Sequence, residues 1–196
     1  MPDIVTRRRF LLFLVKPSHY DDEGYVIQWW KSALPSNSLA CLFGIAQKCM
    51  EDQVLGEDVD IEIFPVDETN TRVRPDQIAR QIRDNGGFGM VGFVGVQSNQ
   101  FPRVMDCARP LRTAGIPVVI GGFHVSGCLS MLPETPDSLK EALDLGISLY
   151  AGEAEAVVGR LRLGVVGRGG AGDPEPGGGG RARLEEATAV QTVTHA

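Results

Sequence analysis

The sequence predicts an α/β protein: a five-stranded parallel sheet with helices on both faces, followed by a tail of different character. Three observations predict it. Apolar runs of strand length alternate with stretches of helical period. The apolar runs show little in–out alternation, as strands buried on both faces do. Glycines close the helical units at Gly56, Gly86–Gly87, Gly115 and Gly146. Strands alternating with helices imply right-handed crossovers and therefore parallel neighbours.

The elements follow in order. Arg9 to Val15 is the first strand, stopped by Lys16–Pro17. Arg7–Arg8–Arg9 ahead of it imitates a secretory leader, but the apolar run is too short and no small-residue cleavage site follows. Ser36 N-caps a helix to about Asp52, with Leu39, Leu42, Phe43, Ile45 and Ala46 on one face. Val59 to Val66 is the second strand. Pro75 opens a helix at its first position, running to about Asn85. Phe88 to Val96 is the third strand; its glycines, Gly89, Gly92 and Gly95, mark either a ligand's approach or tight helix packing. Gln100 to Ala114 is a helix, and Ile116 to Ile120 the fourth strand. Asp137 or Ser138 caps a helix to Leu145, and Ile147 to Tyr150 is the fifth strand.

The bulk properties narrow the partners. A chain of 196 residues holds one domain, 1–155, and a tail, 156–196. A formal net charge of -6 argues against nucleic acid. No run approaches the ~18 apolar residues of a membrane helix. Cys41, Cys49, Cys107 and Cys128 form no CxxC and read as reduced thiols of a cytoplasmic protein. The tail has no aromatic residue, Lys, Ile or Met, and it holds ten of the 24 glycines. That composition cannot bury a core and predicts disorder. It also matches GC-rich DNA translated out of phase, so a frameshift and a natural end both stay open.

Ligands of open parallel sheets bind outside the carboxyl ends of the strands. Four loops reach that rim: Pro17–Gly24 with His19, continuing to Trp29–Trp30; Gln97–Ser98–Asn99–Gln100; Gly121–Gly127 with Phe123 and His124; and Gly152–Glu153–Ala154–Glu155. Each residue has two readings. His19 beside Asp21 and Asp22 is a metal site or a solvated loop. His124 is a ligand contact or a polar helix start. Glu153 and Glu155 are an acid–base pair or caps. Trp29–Trp30 is a stacking platform or lies buried under the rim. No GxGxxG follows the first strand, and no GxxxxGK[ST], GxSxG or zinc-ligand spacing occurs.

Gly121–Gly122–Phe123–His124 after the fourth strand, with Gly152–Glu153–Ala154–Glu155 after the fifth, resembles the cobalamin-binding domain at the front of cobalamin-dependent radical SAM proteins. That family shows GG-x-H and GE-x-E loops at these places, and Ser98 falls where it often has Ser or Thr. Lys16–Tyr20 and Tyr25–Ser36 look like one subgroup. The resemblance covers roughly residues 8–155. It implies a flavodoxin-like (Rossmann-like) sheet with cobalamin on its carboxyl rim, the nucleotide tail between strand ends and a flanking helix, with Gly92, Gly95, Gly121 and Gly122 leaving room. The residues it assigns to the cofactor are Ser18, His19, Gln97, Ser98, Asn99, Gly121, Gly122, Phe123, His124, Gly152 and Glu153. His19 lacks the DxHxxG setting of methionine-synthase-like relatives, so histidine ligation of cobalt is not implied. The chain has no CxxxCxxC, so no iron–sulfur cluster is expected in it and no radical chemistry from it alone. S-adenosylmethionine would belong to a full-length parent of methyltransferase type. Two other functions fit the same fold: a flavodoxin- or receiver-like regulatory domain, and a small α/β enzyme using His124 and Glu153 as acid and base.

Overall fold

The first apolar run forms the strand on which the sheet is built. In the structure, a computed structural model that describes residues 7–29 and 36–152, β1 (Arg8–Lys16) pairs with β2 (Val59–Asp67) on one side and β3 (Gly89–Phe93) on the other. β4 (Val118–Gly121) follows β3, and β5 (Ser148–Tyr150) follows β4. All pairs are parallel and the order is β2-β1-β3-β4-β5. The crossovers hold α1 (Asn37–Glu51), α2 (Pro75–Asp84), α3 (Phe101–Thr113), and α4 (Phe123–Met131) with α5 (Asp137–Asp144). Glu153, Glu155, Trp30 and the tail 156–196 lie outside the described residues.

Local signals explain most helix ends. The Ser36 hydroxyl accepts from Leu39 N at 3.3 Å, as a capping residue does. Pro75 opens α2 at its first turn. Asn85 ends it, and its side-chain amide donates to the carbonyls of Arg9 (2.6 Å) and Phe88 (3.1 Å), tying the helix exit to β1 and β3.

The register sorts the strand residues onto two faces. Phe13 aligns with Val91, and Val91 with Val118; Val15 aligns with Phe93, Phe93 with Ile120, and Ile120 with Leu149. These pack against Ile78 and Ile82 of α2, Val104, Ala108 and Leu111 of α3, and Leu139 and Ala142 of α5. Burying one such large side chain contributes about 1.5–3 kcal/mol, so this face dominates the stability. The other face is smaller. Leu12 and Leu14 meet Leu39, Leu42, Phe43 and Ala46 of α1.

α1 packs on β1 and β2. The register also turns Met90 and Gly92 of β3, Val119 and Gly121 of β4, and Ser148 and Tyr150 of β5 to the α1 side. Among the described residues no helix lies over that half. Val119, Gly121 and Tyr150 are half-buried, and Ser148 is exposed. Helices thus stand on both faces, as the sequence predicts, and among the described residues one face is covered over β1 and β2 only.

Two boundaries differ from expectation for identifiable reasons. β3 ends at Phe93 because Gly95, at φ +59, turns the chain. Gly121–Gly127, read as a loop, becomes helix α4 from Phe123. α4 has no side-chain cap and no charged residue, carries Gly127 in its middle and buries only Val125. None of the sequence signals of a helix is present in it.

Among the described residues the most deeply buried polar side chain is Glu68, just past β2 and 0% exposed. Its carboxylate accepts from Arg103 Nη2 at 2.6 Å, from Arg103 Nε at 3.1 and 3.2 Å, and from the backbone N–H of Ser18 at 3.2 Å. Burial is the largest single influence and works against the Arg103 cation, but Glu68, Cys107 and Tyr20 together outweigh it and hold the guanidinium pKa above its ordinary value. One carboxylate therefore fastens the chain after β1 to β2 and α3. Arg103→Met leaves that carboxylate buried without its partner and is expected to cost about 3–5 kcal/mol in urea unfolding, with the Glu68→Met/Arg103→Met double variant losing less. A single-variant loss below about 1 kcal/mol, as for an exposed pair, would remove this role.

Candidate functional site

The strand order reverses between β1 and β3, and in open parallel sheets the carboxyl end at such a reversal is where a ligand crevice is expected. The loops around it are locked by backbone. Val96 N donates to Gly121 O at 3.1 Å, and His124 N donates to Val96 O at 3.0 Å. The loop after β3 and the turn after β4 thus continue the parallel ladder past the strands.

This clamp explains Gly122. Its φ is +137, and a Cβ there would lie 2.2 Å from Val96 N and 2.7 Å from Gly95 C. The space beside Gly122 is filled by protein backbone, which corrects the expectation that it leaves room for a ligand. Gly95 is similar: a Cβ would lie 2.7 Å from Ser38 Cβ, in the first turn of α1. Gly92 and Gly121 differ. A Cβ would meet nothing nearer than Leu14 Cδ2 at 3.6 Å, or Tyr150 Cβ at 3.5 Å, both ordinary contacts. These two glycines sit on the half-covered face of adjacent strands, Gly92 buried and Gly121 half-buried, as a floor without side chains.

Side chains line the rim above that floor. Ser98 Oγ lies 3.1 Å from His124 Nδ1, joining the loop after β3 to α4. The His124 ring packs on Phe101, centroids 4.5 Å apart, and Cys128 Sγ lies 3.8 and 4.0 Å from its two nitrogens. Burial lowers the His124 pKa, so the ring is uncharged at neutral pH. Gln97, Ser98 and Asn99 are exposed, as is Phe123 at 71%. Gly152 N donates to Ser126 Oγ at 3.3 Å, bringing the end of β5 to α4. At the reversal point the buried Gln100 amide oxygen accepts from Lys16 Nζ and from Gln97 N, both at 2.9 Å. Burial lowers the Lys16 pKa, against the pull of Asp67.

The segment after β1 is a built lip. Tyr20 and Val26 bridge antiparallel, and Asp21 Oδ1 accepts from Tyr25 N (2.7 Å) and Glu23 N (3.1 Å). Tyr20 OH donates to Asp106 on α3 at 2.6 Å; burial and this bond raise its pKa. Ser18 is buried, its hydroxyl donating to Ile27 O. Its N–H and its hydroxyl both serve the lip. His19 is half-buried, with its carbonyl accepting from Ile27 N at 2.9 Å. Among the described residues no group of three or more His, Cys, Asp or Glu is placed to hold a metal ion. Trp29 is 65% exposed, which rules out burial under the rim for this indole.

The fold thus brings Gln97, Ser98, Asn99, Gly121, Phe123, His124 and Gly152 to one rim, with His19 on the lip beside it. Glu153 falls outside the described residues. Lys16, Gln100, Ser126 and Cys128 also stand there without having been singled out as site residues. At the opposite end of the sheet, two clefts are lined by Arg7, Arg8, Arg9, Asn85 and neighbours. Those arginines pair with Asp60, Asp58 and Glu62, so they offer no unpaired basic patch. Among the described residues no helix is long and apolar enough to cross a membrane. No family model, curated protein or solved structure matches the chain.

Two outcomes follow from this geometry. Gly122→Ala drives a methyl into the Val96 backbone and is expected to destabilise the fold by about 1–3 kcal/mol. Gly121→Ala should change it by much less, and equal unfolding midpoints for the two variants would contradict the clamp. For His124, the depressed folded pKa means the unfolded chain takes up the proton first as pH falls. Its contribution is complete above the ordinary histidine value near 6.5 and is lost below it. Urea midpoints at pH 7.5 and 5.5 should fall further for the wild type than for His124→Gln.

Proposed function

We propose that this domain is the cobalamin-binding module of a protein of the cobalamin-dependent radical SAM type. The observation that carries the reading is the pair of side-chain-free positions Gly92 and Gly121 on adjacent strands of the half-covered face, together with the Ser98–His124 pair on the loops that follow those strands. A flat, large cofactor with a nucleotide tail needs a side-chain-free strip beside a polar rim, and these residues fit that need. The GG-x-H and GE-x-E loops support the same reading.

Each residue then has a role set by its chemistry. Gly92 and Gly121 admit the tail against the sheet. Ser98, with the uncharged His124, presents hydrogen-bonding groups to the amide side chains of the macrocycle. Gln97, Asn99 and the Gly152 backbone add further polar contacts. Phe123, exposed at the first position of α4, offers an apolar surface to the ring. His19 stays on the lip and is not assigned to the metal. Bound cobalamin would supply cobalt chemistry; the protein binds it, orients it and shields one side of it. The proposal gives this chain no iron–sulfur cluster, no S-adenosylmethionine chemistry and no reaction of its own. It places the protein in the cytoplasm, on the basis of four free cysteines.

A visible-absorption titration with cobalamin tests the assignment. The wild type should saturate. Gly121→Leu should weaken binding by more than about tenfold, since the side chain fills ligand volume, while circular dichroism stays unchanged. His124→Ala should lose one polar contact worth about 0.5–1.5 kcal/mol. His19→Ala should leave the cobalt spectrum unchanged. No spectral change with the wild type would sink the reading, and a receiver- or flavin-type ligand would then be the next to try.

A further inference from the structure

The cluster left over after that assignment is the thiol of Cys128 against the His124 ring. The two residues stand four apart on α4, which puts them on one helix face. Ser98 holds His124 Nδ1 from the neighbouring loop and Phe101 packs on the ring, so the imidazole is oriented from two sides. A nucleophile, a base and a group that orients the base is the general pattern of an activated thiol. The 3.8 and 4.0 Å distances are longer than a tight S–H···N bond, but such pairs are often loose at rest and tighten when the reagent arrives.

The other thiols provide the contrast. Cys49 and Cys107 are buried, and burial raises both pKa values, that of Cys107 to about 12. Cys41 is exposed on α1. Among the described residues, Cys128 is the cysteine that combines partial exposure with an imidazole within 4.0 Å. No charged side chain lies on α4.

We propose that Cys128 is a thiol-modification site that exchanges with low-molecular-weight disulfides, His124 accepting its proton. The Cys128 sulfur, as thiolate, attacks one sulfur of the disulfide. A new bond from Cys128 to that sulfur forms as the reagent's own S–S bond breaks. The leaving thiolate takes up the proton from the imidazolium, so one disulfide is reduced to one thiol while Cys128 is oxidised to the mixed disulfide. The adduct would sit at the rim beside Ser98.

The experiment uses the full, reduced chain without any cofactor, so its result is separate from cobalamin binding. Oxidised glutathione is added at neutral pH, and adducts are located over time by peptide mass mapping. Cys128 should be modified at least about tenfold faster than the exposed Cys41, and His124→Gln should remove that advantage. In urea-unfolded protein the two thiols should react alike, which makes the native comparison independent of any variant's folding. Equal native rates at Cys41 and Cys128, or an unchanged Cys128 rate in a folded His124→Gln protein, would overturn the proposal.

Discussion

The β3–β4 side of the rim, at the carboxyl end of the sheet, hangs on two backbone hydrogen bonds. Val96 gives its N–H to Gly121 and its carbonyl to His124, so the loop after β3 and the turn after β4 lie against each other as if still in the sheet. The approach is so close that residue 122 can have no side chain. From that contact follow the start of α4, the meeting of Ser98 with His124, and the position of Phe101 behind the imidazole. The rim is rigid here because backbone holds it, not because side chains fill it.

The lip on the other side of the strand reversal is held differently. Glu68 has no solvent contact and relies on Arg103 and the Ser18 N–H for its compensation. A buried ion pair gives little net stability, because desolvation offsets its attraction, but breaking it is costly. Its effect is therefore positional. It fixes where the chain leaves β1, and Tyr20 on Asp106 fixes the same segment to α3. Lys16 and Gln100 bridge the gap between the two sides at the point of strand reversal.

What was legible in the sequence was what local chemistry determines. Ser36 as a cap, Pro75 at a helix start and the apolar run of β1 are each decided within a few residues, and each stands where the pattern put it. α4 was illegible because it lacks cap, charge and a clear apolar stripe; the clamp at Val96 starts it. Gly122 could be recognised as special, but sequence could not tell a close backbone from a close ligand. The burial of Ser18 is hidden from the sequence for a similar reason: its partner Glu68 is 50 positions away, and Lys16 finds Gln100 across 84 positions. Ser98 and His124 were both picked out, yet their contact depends on β3 and β4 being neighbours, which only the strand order settles.

The uneven roof of the sheet has a consequence of its own. Through β2 and β1 the described domain is a sandwich of helix, sheet and helix. Through β3, β4 and β5 it has only sheet and helix, with Val119, Gly121 and Tyr150 facing outward. Among the described residues, that half of the sheet is the thin side. Anything that settles there adds a layer and takes apolar surface out of water. By mass action that binding energy becomes folding energy. For such a body occupancy and stability are one measurement, and the strands on the thin side should be the first to report whether the layer is in place.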